Sequence, residues 1–302
     1  MTIRQTADAL HHVRRSMVLQ LIEMAQWATD PAGRACLESI LACVQERFSI
    51  ISELARTAHI RPFSQVVLAE GDPSVLIEKQ PLRVGVYPLA ANPLHWGHIL
   101  VGLTAIASLT LDKVIYLIAG KDRRKPTLLP EETRHHLGRS VIETFHPLFA
   151  YSPLALGTEL DGETNLGRFL KLNPHQPMEV FYVVGADHYR RTTAHGEPDT
   201  IEKLERVVKG QRKTQARHSI SVAFMDRSDA KVRRRKVRTS LDVRFLPAIP
   251  LPFSSTAARK ALCRQGFSEP LVSLPYSCLL EIRTEGLYVG KGECIEDLAN
   301  PG

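Results

Sequence analysis

Apolar residues near the start of the chain recur at helical spacing. Leu10, Val13, Met17, Leu21 and Met24 fall three or four residues apart, and Leu37, Ile40, Leu41 and Val44 do the same after the Asp30-Pro31 break. A 3.6-residue period puts each set on one face, so two amphipathic helices are expected, with a third short one over residues 51–57. Arg61-Pro62 and Gly71-Asp72-Pro73-Ser74 then read as irregular chain, which places a boundary near residue 80.

From Arg83 the pattern changes. Short β-rich apolar runs at residues 83–87, 113–118, 179–184, 220–225 and 243–246 alternate with helical stretches at 96–109, 131–145, 165–172 and 201–209. A further helix is expected from Ser255 to about Gln265, stopping at Gly266 as its C′ residue. Strands alternating with helices of this length predict an α/β fold, a mostly parallel sheet with helices on both faces, preceded by the helical segment. The expected division is residues 1–80, a main domain over 81–290 and a tail over 291–302. Lys and Arg crowd between residues 203 and 240, a basic insertion expected at about 209–240, and the closing run 231–238 is read as solvated and outside the core. No period of 20–50 residues suggests a repeat protein.

Composition narrows the class. The chain is 44% hydrophobic and 24% charged, in the globular range rather than the disordered one. Its five cysteines are odd in number, scattered and never spaced as C-x-x-C, which points away from a disulfide framework or zinc site and toward reduced thiols. Gln20, Glu23 and Gln26 interrupt the first apolar stretch, so neither a signal-peptide core nor a membrane span is expected, and the expected compartment is cytoplasmic. The formal net charge of +7 suits an anionic partner, phosphate ester or nucleic acid.

The strongest chemical signal is the stretch from Tyr87 to His98, which carries Asn92-Pro93-Leu94-His95-Trp96-Gly97-His98 where an expected strand gives way to an expected helix. Ligands of open α/β sheets bind at the carboxyl ends of strands, and a helix start adds free N–H groups and a positive dipole end. His95 and His98 can face one phosphate chain there, and Gly97 removes a side chain where backbone and ligand would approach. A second candidate is Phe253-Ser254-Ser255-Thr256-Ala257-Ala258-Arg259. Ser254 or Ser255 can cap a helix, and Ser255, Thr256 and Arg259 would gather at its first turn as an anion cradle. Alone, the first pattern also fits surface histidines at a helix start, and the second an ordinary capped helix. Lys121 and Lys125 fit either solvated loop charges or phosphate contacts, and Asp187 fits either a helix cap or a nucleotide ligand.

The first stretch resembles the N-P-x-H-x-G-H segment of the nucleotidyltransferase superfamily, and further resemblances follow in that family's order. Ala119-Gly120-Lys121 through Lys125-Pro126 is similar to the lysine-bearing loop of nicotinate and nicotinamide mononucleotide adenylyltransferases, and Pro130 through Arg134 to their S-x-x-x-R helix start. Gly185-Ala186-Asp187 resembles the G-x-D turn, Phe253 through Arg259 the I-S-S-T-x-x-R signature, and Pro275 through Tyr288 the family's C-terminal ending.

The resemblance implies a Rossmann-like sheet and transfer of AMP from ATP to a mononucleotide phosphate, with no covalent intermediate. It implies His95, His98 and Arg259 as catalytic residues, and Ala90, Gly97, Lys121, Lys125, Ser254, Ser255 and Thr256 around the ATP phosphates. Gly185, Asp187 and Arg134 would contact nucleotide. Magnesium would arrive with ATP, since no carboxylate cluster in this region of the sequence suggests a protein metal cage, and a homo-oligomer stays open. Two departures stand out. Leu89-Ala90-Ala91 occupies the place of G-[ST]-F, and the tryptophan that often follows G-x-D is missing from residues 188–196. They keep open a sister adenylyl- or cytidylyltransferase acting on another phosphorylated acceptor such as phosphopantetheine, or an impaired homologue that binds nucleotide or nucleic acid.

Overall fold

Two long helices open the chain, α1 (Ile3–Trp27) and α2 (Pro31–Arg56). Asp30 caps α2 by accepting from the Gly33 N–H at 2.7 Å, and Pro31 takes the first helical position, where a missing N–H costs nothing. The short helix expected over residues 51–57 is instead the end of α2. No Gly or Pro interrupts the chain after Val44, and the buried stripe of Leu37, Ile40, Val44, Phe48, Ile51 and Ala55 continues unbroken.

This computed structural model describes residues 3–28, 30–73, 75–122, 125, 127–190, 200–211, 218–227, 239–249, 251, 253–263 and 269–288. The basic run 231–238, the tail 291–302 and Gly266 lie outside the described residues.

Six strands form one parallel sheet: β1 (Leu82–Leu89), β2 (Lys113–Ile118), β3 (Phe149–Ser152), β4 (Met178–Gly185), β5 (His218–Arg227) and β6 (Asp242–Ile249). Between them run α3 (Trp96–Leu109), α4 (Glu131–Glu143), α5 (Gly162–Leu172), α6 (Asp187–Arg190) and α7 (Thr200–Gln211). After β6 come α8 (Ser255–Cys263), α9 (Glu269–Val272) and α10 (Tyr276–Thr284). The order β3-β2-β1-β4-β5-β6 makes the chain reverse direction across the sheet between β1 and β4. The crevice above such a reversal is where open α/β sheets bind ligands.

The strands alternate their faces as a sheet covered on both sides requires. In β2, Val114, Tyr116 and Ile118 join the core beneath α3 and α4, while Ile115 and Leu117 join the one beneath α5 and α7. Met17, Met24, Ile40 and Phe48 of the two opening helices belong to the first of these cores, so α1 and α2 form an outer layer against α3, α9 and α10. Among the described residues no helix is long and apolar enough to cross a membrane.

One buried group gives the fold an acid sensitivity. His135 on α4 places Nδ1 2.6 Å from the Tyr151 hydroxyl, and burial pushes its pKa down from 6.5 to about 4, with Arg134 adding to the effect. Between those values the unfolded chain binds a proton that the folded chain refuses, so this contribution to stability is complete above pH 6.5 and declines as pH falls toward 4. Denaturant midpoints measured at pH 7 and pH 5 should fall less for His135→Asn than for the parent chain. An equal or steeper fall would contradict this reading.

Candidate active site

The chain leaves β1 through Ala90, Ala91 and Asn92 and enters α3 with His95 at the N-cap. Ala91 holds a left-handed φ of 50°, which turns the segment sharply. His98 follows at the third helical position, and its Nδ1 accepts the His95 backbone N–H at 3.2 Å. That bond leaves the His98 proton on Nε2, making this nitrogen a donor. The two imidazoles stack with centroids 3.8 Å apart and planes 22° from parallel, and Phe253 lies 5.9 Å beyond His95 in a similar plane. Gly97 permits this stack. A Cβ there would come within 2.8 Å of both the His95 ring and the Phe253 Cβ.

The start of α8 is built against the same turn. Ser254 accepts the Ala257 N–H at 3.3 Å as a cap, and Ser255 Oγ donates to the Pro93 carbonyl at 3.3 Å. Arg259 is buried. Its Nη1 donates to the Asn92 carbonyl at 2.7 Å and its Nη2 to Thr256 Oγ1 at 3.1 Å. Two helix starts, two histidines and a guanidinium therefore meet where an anion gains from every one of them.

The loop after β2 is fastened to this centre from below. Arg134 is fully buried and donates to four backbone carbonyls: Leu129 at 3.0 Å, Ala90 at 2.7 Å, Ala119 at 2.8 Å and Gly120 at 2.6 Å. Burial lowers its pKa from the usual arginine value, with Glu131 opposing that shift. These bonds tie the exit of β1 to both ends of the lysine loop. Gly120 admits no side chain, since a Cβ would sit 2.1 Å from the Ala155 carbonyl oxygen. Lys121 reaches Glu131 at 3.8 Å and Lys125 reaches Asp122 at 3.8 Å, and both lysine side chains stay more than half exposed. Arg123 and Arg124 lie outside the described residues.

At the end of β4, the strand beside β1, Gly185 pairs with Met225 and the Ala186 N–H donates to the Met225 carbonyl at 2.9 Å. Asp187 then opens the four-residue α6. Of the stretch lacking the expected tryptophan, His188 sets Nδ1 3.3 Å from Thr200 Oγ1, and residues 191–199 lie outside the described residues. Among the described residues no three His, Cys, Asp or Glu side chains are grouped to hold a metal ion.

No family model matches the sequence. A protein described as a probable nicotinate-nucleotide adenylyltransferase from a Synechococcus species is 25% identical over 216 residues, 70% of this chain and 97% of that protein. One from Thermus thermophilus is 27% identical over 129 residues, 42% of this chain and 68% of that protein. The Plasmodium falciparum nicotinic acid mononucleotide adenylyltransferase complexed with NaAD superposes with a TM-score of 0.53 at 15% identity, covering 68% of this chain and 97% of that one. The same protein complexed with APC gives 0.51 at 14% identity. In sequence and in fold, the chain resembles nicotinate-nucleotide adenylyltransferases. The structural likeness, at such low identity, speaks for the fold.

Three residues matter more in this geometry than their motifs suggest. Asn92 supplies the carbonyl that seats Arg259, Phe253 walls the histidine stack, and Tyr288 donates its hydroxyl to Asn92 Oδ1 at 2.9 Å. In sequence Asn92 shows only as the opening residue of the N-P-x-H-x-G-H-like segment, between a strand end and a proline, and nothing there points to its tie to Arg259. For Tyr288 the signal is only its place at the end of the C-terminal motif.

Proposed function

We propose that the chain is an adenylyltransferase that moves AMP from ATP to the phosphate of a pyridine mononucleotide. The observation that carries this reading is the contact between the two helix starts, with Arg259 bonded to the Asn92 carbonyl beside the stacked His95 and His98. An acceptor phosphate oxygen attacks the α-phosphorus of ATP, the bond to the bridging oxygen breaks, and pyrophosphate leaves with that electron pair. Placement and charge neutralisation carry such chemistry, so no nucleophilic side chain is needed.

His98, with its proton on Nε2, donates to the α-phosphate and bridging oxygens together with His95. Arg259, Ser255, Thr256 and a cation from the lysine loop hold the β- and γ-phosphates, near Ala90 and Gly97 and over the dipole ends of α3 and α8. Ser254 contributes by capping α8. Arg134 serves the nucleotide indirectly, by fixing the loops on which Ala90 and Lys121 stand. Gly185 and Asp187 sit on the neighbouring strand end, where they would contact nucleotide. The donors gathered here are cationic or neutral, so they fit the oxygens of a triphosphate and not a protein-bound divalent ion; magnesium belongs to the ATP that enters.

The acceptor is the finer part of the proposal. Its support is the Synechococcus and Thermus relatives and the Gly185–Asp187 and 282–288 motifs. A site that pairs polar groups with a pyridine substituent rejects acceptors without one by a large factor. Comparing kcat/KM for nicotinate mononucleotide, nicotinamide mononucleotide and phosphopantetheine, each with magnesium ATP, should show efficient turnover of at least one pyridine nucleotide. Turnover of phosphopantetheine with both pyridine nucleotides inert would move the chain to a sister specificity and leave the phosphate site standing.

A further inference from the structure

We infer that Tyr288, near the end of the described chain, is a positioning residue for the triphosphate site. Its hydroxyl fixes the Asn92 carboxamide and, through it, the seat of Arg259 and the end of the lysine loop. The inference rests on the adenylyl-transfer reading only for what turnover measures; the nucleotide-binding part stands apart from it.

Asn92 is a buried junction whose carboxamide and carbonyl are all engaged. Its Oδ1 accepts the Tyr288 hydroxyl at 2.9 Å and the Leu129 N–H at 3.2 Å, and its Nδ2 donates to the Thr127 carbonyl at 3.3 Å. Its backbone carbonyl accepts Arg259 Nη1 at 2.7 Å. One residue thus joins the phosphate turn, the close of the lysine loop and the guanidinium of α8. The Tyr288 hydroxyl is the shorter of the two donors on the Asn92 oxygen, beside the Leu129 N–H, and of the two it alone links this carboxamide to the C-terminal segment.

Tyr288 is itself held at both ends. Its ring is buried, burial pushes the phenol pKa well up so that the hydroxyl keeps its proton, and both Arg259 and Arg134 are near enough to draw that value back. Its backbone carbonyl accepts Cys263 Sγ at 3.2 Å, at the last residue of α8 and about one helical turn beyond Arg259. The backbone adopts a left-handed φ of 66°, a conformation that a bulky residue keeps only when its surroundings impose it. The tyrosine therefore spans α8 from its last residue to the turn that its arginine grips. A residue serving only to close the C-terminal segment would need the ring and not the hydroxyl.

Tyr288→Phe removes that oxygen alone. Magnesium ATP should bind about tenfold more weakly to the variant in titration calorimetry, with a similar loss in kcat/KM for ATP and a KM for the acceptor within about twofold. In an Arg259→Lys background the same change should add less than about twofold, since both act through one contact. Substituting p-aminophenylalanine, which keeps a donor at that position, should restore binding to within about twofold. If Tyr288→Phe does not fold, p-fluorophenylalanine fills the space without a donor and should show the same weakened ATP binding. Parent-like ATP affinity in the donor-free variant, or effects that simply multiply with Arg259→Lys, would overturn the inference. A parent chain that binds ATP but turns over no acceptor would count against the transfer reading and leave the binding comparison intact.

Discussion

Replacing His98 by alanine is expected to lower kcat by about 10²–10³ while the folded chain keeps its stability. Removing one preorganised donor to a developing oxyanion typically costs this much. The side chain is half-buried, and its Nδ1 bond to the His95 N–H directs the proton to Nε2. Because His98 is only half-buried, its removal opens the start of α3 to water that can partner the His95 N–H, and the larger penalty should fall on turnover. His98→Asn, which keeps a neutral donor on a shorter side chain, should recover part of the loss. Single-turnover rates at saturating ATP, read beside thermal midpoints, separate the two effects. Near-normal turnover of His98→Ala would remove this histidine from the mechanism.

Arg259→Ala should cost at least as much in kcat/KM for ATP and, unlike His98→Ala, should also destabilise the fold. The guanidinium is buried and bonded to the Asn92 carbonyl and to Thr256, so its loss strands a buried acceptor, at a cost of about 1–3 kcal/mol. Arg259→Lys keeps the charge but cannot bond Asn92 and Thr256 together while presenting a fork to phosphate, and it should rescue stability better than activity. Denaturant midpoints and kcat/KM measured on both variants test this. Full activity in Arg259→Lys would mean that charge alone suffices there.

The sheet and the first helix starts are readable in the sequence because their signals are local. The runs in β1, β2, β4 and β5 carry β-branched and aromatic residues over several positions, and His95, Gly97 and His98 lie within one helical turn. β3 is not readable: four residues, Phe149–Ser152, lie between Pro147 and Pro153 and give too short a run for any alternation to show. The expectation of a separate helix after α2 fails because the apolar stripe does not end at Val44; Phe48, Ile51 and Ala55 extend it through one continuous helix. The site's long-range ties leave no local trace. Arg259 and Asn92 are 167 residues apart, Tyr288 and Asn92 are 196 apart, and only the fold brings them within a hydrogen bond. The resemblance implies a nucleotide contact for Arg134, while the fold turns its donors to the backbone of the loops it supports.

The most direct test of adenylyl transfer follows two labels in one reaction. With ATP carrying distinguishable labels in its α- and γ-phosphates, and nicotinate or nicotinamide mononucleotide as acceptor, the α label should appear in a dinucleotide and the γ label in pyrophosphate, in equal amounts. The γ label appearing on the acceptor, or no release of pyrophosphate dependent on acceptor, would contradict the account.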